Sequence, residues 1–212
     1  MRKLFVDPMS SNARRADMTA LLLGLPVERV PIALVKGEQR RAEYMAVNPN
    51  GKVPALVDGD VVLWESLAIM IYFTDLVPGQ TLYPTGAMAR AQVNKWLFWA
   101  ASHWGPAIGV LNFENMLKSL FGLGAPNEYT VNRFTGLFHE HARVLEATLT
   151  AHPYVAGDAL TLADIAIACS LMYTGPARLP VGDYPHITTW FARIRELDAW
   201  QATEPPPFPQ KS

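Results

Sequence analysis

Val53-Pro54-Ala55-Leu56-Val57-Asp58-Gly59-Asp60-Val61-Val62-Leu63-Trp64-Glu65-Ser66 is the stretch on which the fold turns. Two apolar runs, Val53 to Val57 and Val61 to Trp64, are joined through Asp58-Gly59-Asp60. Asp-Gly between apolar runs predicts a β-hairpin, because the tight turn needs left-handed backbone that these residues adopt at low cost. At Glu65-Ser66 the second strand ends, and residues 66–77 read as an apolar helix.

Upstream of the hairpin, strand and helix signals alternate. Leu4-Phe5-Val6 is a short apolar run closed by Asp7-Pro8. Residues 12–24 carry Ala13, Ala16, Ala20, Leu21 and Leu23 at helical spacing and end at Gly24, which suits the position just after a helix. Val27 to Val35 reads as a second strand, and Pro31 within it predicts a sheet edge, since proline has no N–H for a ladder. Glu38 to Val47 reads as a short helix, stopped by Asn48-Pro49-Asn50-Gly51. The order is βαβ, α, ββα. Strands joined through a helix are expected to be parallel and hairpin strands antiparallel, which gives a four-stranded mixed sheet.

Downstream the pattern changes. Val77-Pro78-Gly79-Gln80-Thr81-Leu82-Tyr83-Pro84 reads as a linker, and beyond it hairpin signals vanish. The chain divides into an α/β domain over 1–78, a linker over 79–86 and an all-helical domain over 87–212. Helical stretches are expected over 87–120, with a bend or break at Gly105-Pro106, and then over 127–150, 162–173 and 186–198. Thr161 stands three residues before Asp164, a capping-box spacing, with Leu160 and Ile165 placed as a hydrophobic staple. The tail from Glu204 holds three consecutive prolines and cannot be helical.

Composition narrows the class. The chain has 212 residues, half of them hydrophobic, with 18 Lys plus Arg against 19 Asp plus Glu. A net charge of −1 leaves no field to attract nucleic acid or an anionic membrane, so neither is an expected partner. The one cysteine, Cys169, excludes an internal disulfide, a CxxC pair and a cysteine zinc site, and its apolar helix makes it a small core residue. His139 and His141, two apart on a helix, do not share a face, and no metal site is expected. The N-terminus lacks a secretory apolar region and no run of 18 apolar residues occurs, so a cytoplasmic location is expected.

Three local features carry chemistry. In Pro8-Met9-Ser10-Ser11-Asn12, hydroxyls lie at a helix N-terminus, where N–H groups and the helix dipole favour an anion. The plainer use of any of them is as an N-cap. In Asn48 to Leu56, a Val53-Pro54 step enters a strand; a cis bond there would turn the chain and leave the Val53 backbone open to an extended peptide. At Glu65-Ser66, a carboxylate and a hydroxyl at a helix start suit the ammonium and carboxylate of an α-amino acid, or serve only as a cap.

Taken together, Met9-Ser10-Ser11-Asn12, the Asn48–Leu56 run, Glu65-Ser66 with Ala68-Ile69, and the Thr161–Asp164 box with the following Ile-Ala make the chain resemble the glutathione S-transferase family over essentially its whole length. The serine-type bacterial and plant members are the most similar. The resemblance implies a thioredoxin-like N-terminal domain that binds glutathione, an all-helical C-terminal domain that carries the electrophile pocket, and a homodimer. Ser10 matches the position whose hydroxyl bonds the glutathione sulfur, with Ser11 and Asn12 as alternates. Val53 would pair with the cysteinyl backbone beside a cis Pro54. Glu65 and Ser66 would hold the γ-glutamyl end, and Gln39, Arg40 and Lys52 the glycyl carboxylate. Tyrosine-type members carry a tyrosine near the end of the first strand, whereas this stretch is Leu4-Phe5-Val6-Asp7; thiol-transferring members carry a cysteine in the loop, and this loop has none.

The electrophile pocket is expected between the domains, from Trp99, His103, Trp104, Phe113 and Met116, with Met9 opposite. The implied reaction is conjugation of glutathione, the co-substrate, to hydrophobic electrophiles. Glutathione-dependent peroxidase, dehalogenase or isomerase chemistry on the same fold, or a non-catalytic regulatory role, are the alternatives.

Overall fold

The computed structural model describes residues 1–206. Contacts group the chain into one unit of Met1–Pro84 with Leu197–Pro206 and a second that spans Thr85–Glu196. The last of the three tail prolines and everything after it lie outside the described residues.

The first unit holds β1 (Arg2–Val6), α1 (Ser11–Leu22), β2 (Val27–Pro31), α2 (Ala42–Met45), β3 (Ala55–Asp58), β4 (Val61–Trp64) and α3 (Ser66–Asp75). The sheet order is β2-β1-β3-β4, with β1 and β2 parallel and the other pairs antiparallel. Pro31 ends β2, an edge strand, where its missing N–H costs no ladder bond. The strand expected over 27–35 stops there, and 3₁₀ turns at Leu34–Lys36 and Glu38–Arg40 replace its end and the start of the next helix. Leu4 and Leu56 pack on Ala16 and Ala20 of α1 and on Ile69 and Phe73 of α3, all fully buried. Phe5, alternating with Leu4, joins a second cluster of Ala13, Tyr44, Val53 and Ala55. Gly24 follows the α1 cap with φ 62°.

The second unit contains α4 (Ala87–Trp99), α5 (Gly105–Asn112), α6 (Lys118–Leu120), α7 (Glu128–Ala151), α8 (Leu162–Ala168) and α9 (Pro185–Arg195). From Ala87 to Leu120 the chain stays helical, and two π-helical turns, Ala100–Trp104 and Phe113–Leu117, link the α segments. The bend expected at Gly105-Pro106 takes this form. Pro106 has no N–H for an i−4 carbonyl, and the wider turn just before it absorbs the missing bond without breaking the helix. At the far end, the Glu114 carboxylate accepts the Asn127 N–H at 2.7 Å and Lys118 Nζ at 2.9 Å, which hold its pKa below the ordinary value.

The capping box forms as expected. Asp164, fully buried, accepts from the Val155 N–H (2.8 Å), the Thr161 N–H (2.9 Å), the Thr161 hydroxyl (3.0 Å) and Trp190 Nε1 (2.9 Å). Burial pushes its carboxyl pKa up, and those donors oppose the push. Every residue of α8 is buried, and Cys169 after it is fully buried and joins no disulfide.

α10 (Asp198–Gln201) returns to the first unit. Buried Arg14 of α1 holds it: Nη2 donates to the Trp200 carbonyl at 2.7 Å, Nε to Thr203 Oγ1 at 3.1 Å, and the guanidinium lies 3.7 Å from the Trp200 ring centre. Among the described residues no helix is long and apolar enough to cross a membrane.

Candidate functional site

Strand register gathers the sequence features at one end of the sheet. Phe5 faces Ala55, and Ala55 faces Trp64. Antiparallel pairing therefore sets the exit of β1 (Asp7 to Ser10), the entry to β3 (Val53-Pro54) and the exit of β4 (Glu65-Ser66) side by side, each one to five residues past that row.

Ser10 is the N-cap of α1, with φ −93° and ψ 115°. Its N–H donates to the Asp7 carbonyl (2.9 Å), its carbonyl accepts the Arg14 N–H (2.9 Å), and its Oγ accepts the Ala13 N–H (3.2 Å). The hydroxyl hydrogen has no acceptor among the described residues, so Ser10 keeps one donor to spend. The cap therefore does not use up the side chain. Ser11 is the first residue of α1. Asn12 Oδ1 accepts from Arg15 Nη1 at 2.7 Å, and its amide hydrogens have no acceptor among the described residues.

The Val53–Pro54 bond is cis. Val53 lies just ahead of β3 and makes no backbone hydrogen bond among the described residues. Lys52 is held from behind: its carbonyl accepts the Tyr44 hydroxyl at 2.5 Å and Asn48 Nδ2 at 2.7 Å. Burial pushes the Tyr44 pKa up to about 12, so it stays a donor. Asn48, 2% exposed, also accepts the Asn50 N–H on Oδ1 at 3.1 Å, and so shapes the whole Asn48–Lys52 turn. Gly51 sits in this turn with φ 58°; a Cβ there would stand 2.7 Å from Arg40 Nη1 and 3.1 Å from the Gln39 carbonyl. That close approach brings Gln39, Arg40 and Lys52 together. Gln39 Oε1 is buried without a partner; turned by half a rotation, the same amide presents Nε2 as a donor.

Glu65 has φ 74° and ψ 113°, a conformation rare for a residue with a side chain and worth roughly 1–3 kcal/mol of strain. It turns the chain from β4 into α3. Unlike α1, α7 and α8, α3 has no side-chain cap, so its first N–H groups are unspent. Buried Ser66 is its first residue.

The apolar candidates divide by exposure. Met9 is half-buried in the first unit. In the helical unit, Trp104 is fully buried, stacks on half-buried Trp99 at 5.5 Å, and donates Nε1 to the Ile167 carbonyl. Met116 is buried too, Phe113 is 40% exposed, and exposed His103 lies 5.5 Å from the His141 ring. His139 shares a hydrogen bond of 2.8 Å with the Tyr184 hydroxyl.

Asp7, Tyr44 and Asn48 have no site role in the sequence reading. The turn run Asn48-Pro49-Asn50-Gly51 was a signal for Asn48, because an Asx residue before a left-handed glycine commonly bonds the turn.

A four-stranded mixed sheet with helices, an open peptide edge at a cis-proline and a separate helical unit define a thioredoxin-like protein of the two-domain type. Comparison with known proteins agrees. Residues 9–76 match the family model for the glutathione S-transferase N-terminal domain, and residues 132–198 that for the C-terminal domain. Glutathione S-transferase F10 of Arabidopsis thaliana is 34% identical, with 92% of each chain covered. Among solved structures, glutathione transferase F7 from Populus trichocarpa superposes with a TM-score of 0.89 at 28% identity, with 96% of this chain and 97% of that one covered. Glutathione S-transferase I from mais, in complex with an atrazine glutathione conjugate, gives 0.86 at 29% identity, with 96% of each chain covered. The chain belongs to the glutathione S-transferase family.

Proposed function

We propose that the protein binds glutathione along the end of its sheet and uses Ser10 to present the sulfur as a thiolate to hydrophobic electrophiles. The observation that carries this is the gathering of unspent polar groups there: the Ser10 hydroxyl hydrogen, the Val53 backbone and the uncapped start of α3. Their chemistry matches a γ-glutamyl peptide. Ser66 and the first N–H groups of α3 take the α-carboxylate, and Glu65 takes the ammonium. Val53 pairs with the cysteinyl backbone. Gln39, Arg40 and Lys52 take the glycyl carboxylate.

The thiol gives its proton to solvent. The Ser10 O–H, whose oxygen already accepts from Ala13, then donates to the sulfur anion at the N-terminus of α1. The thiolate attacks the electrophilic carbon and forms a C–S bond as the leaving group departs. Ser11 and Asn12 are the alternate donors. Met9 in the first unit, and Trp99, His103, Phe113 and Met116 in the helical unit, are the proposed electrophile contacts; Trp104, also expected there from the sequence, has no exposed surface and is a core residue that backs Trp99. The active species is proposed to be a cytoplasmic homodimer.

Chromatographic product analysis with glutathione and a panel of aryl halides, epoxides and hydroperoxides tests the reaction. Thioether products are expected. Glutathione disulfide from hydroperoxides alone would replace conjugation with a peroxidase reaction, and tight binding with no product would make the protein a binding or regulatory one.

A further inference from the structure

Asp7 is a buried acid, 6% exposed, that no step above uses. Its acceptors reach two separate segments, the Met9-Ser10 loop and the turn that begins at Leu34. Oδ1 accepts the Met9 N–H at 2.8 Å, Oδ2 accepts the Leu34 N–H at 2.8 Å, and the carbonyl accepts the Ser10 N–H at 2.9 Å. Leu34 opens the 3₁₀ turn that leads, through Gly37, into Glu38-Gln39-Arg40. One carboxylate therefore ties the loop that carries Ser10 to the segment that carries Gln39 and Arg40. Two oxygens facing two N–H donors call for a carboxylate: an amide has one acceptor and would turn its own NH₂ toward the other donor.

We propose that Asp7 is a positioning residue, which holds the Ser10 hydroxyl at the sulfur and sets the distance between the sulfur site and the glycyl-carboxylate site. The inference rests on the transferase reading. Asp7 acts through Met9 and Leu34 and touches no reacting atom.

Charge and position have opposite consequences, and this makes the idea testable. Loss of a nearby negative charge would favour a thiolate and lower the pKa of bound glutathione. Loss of the clamp lets the Ser10 donor drift and raises it. The experiment titrates the ultraviolet thiolate absorbance of the glutathione complex, with the pH profile of kcat/KM alongside, for wild type, Asp7→Asn, Leu34→Pro and Ser10→Ala. Asp7→Asn is expected to raise the thiol pKa by about one unit, with about tenfold lower kcat/KM near neutral pH. Leu34→Pro removes one N–H donor at the start of a 3₁₀ turn, where the preceding Ala33 (φ −74°, ψ 96°) already suits a following proline. It is expected to raise KM for glutathione several-fold and to leave the thiol pKa nearly unchanged. An unchanged or lowered thiol pKa in Asp7→Asn, while Ser10→Ala raises it, overturns the role of Asp7 and leaves the transferase reading standing. If Asp7→Asn does not fold, an unchanged KM in Leu34→Pro overturns it instead. A bound thiol that titrates identically in wild type and Ser10→Ala overturns the serine reading itself.

Discussion

Ser10 shows how folding can leave a residue with one free capacity. Its N–H, its carbonyl and one Oγ lone pair are committed to Asp7, Arg14 and Ala13, and its hydroxyl hydrogen has no acceptor among the described residues. Gly51 shows the reverse, a position with no room to spare. With φ 58° and Arg40 Nη1 2.7 Å from any added Cβ, Gly51→Ala is expected to cost about 1–3 kcal/mol in urea unfolding and to weaken glutathione binding. An alanine variant as stable as wild type would contradict this packing. At this scale the sequence was partly legible. Ser10, Val53, Glu65 and Ser66 stood out because each sits at a strand end with an unusual neighbour. Asp7, Tyr44 and Asn48 did not, because each has an ordinary local use, as strand stop, helix residue and turn residue, and their second use appears only when Leu34 and Lys52 fold onto them.

Elements were legible where their signal is local. The Asp58-Gly59-Asp60 hairpin, the parallel β1–β2 pair and the Thr161–Asp164 box all form where turn chemistry and spacing put them. The π-helical turns were not, since a shift in hydrogen-bond register leaves the apolar pattern of 87–120 intact. The start of α8 also carries a prediction. Asp164 accepts from four donors, so Asp164→Ala leaves several of them buried without that acceptor, at about 1–3 kcal/mol each. A loss of roughly 3–5 kcal/mol in urea unfolding is expected, with KM for glutathione unchanged in the folded fraction. A change below about 1 kcal/mol, less than the cost of one such donor, would show that water replaces the carboxylate.

For the whole molecule, the assignment of Leu197–Pro206 to the first unit was out of reach of local reading. Arg14 finds Trp200 across 186 residues, and nothing near either residue announces the pair. Stability of the whole chain should also carry a histidine signature. Burial holds the His141 pKa below 6.5, assisted by His103 and opposed by Glu140. The folded state then binds fewer protons than the unfolded state just below pH 6.5, so this contribution is complete above 6.5 and is lost as pH falls toward the folded value. His141→Asn is expected to flatten the fall of Tm through that window; an unchanged slope would assign it to other groups.

In the proposed reaction one end of the sheet holds glutathione while Ser10 activates it. Calorimetric titration of glutathione into wild type, Ser66→Ala and Ser10→Ala, with turnover measured on the same samples, tests it most directly. Ser66→Ala is expected to weaken binding by roughly 10–100-fold. Ser10→Ala is expected to bind nearly as wild type does and to lose about 10²-fold or more in kcat. A wild type that does not bind glutathione, or a Ser10→Ala variant with full turnover, would contradict it.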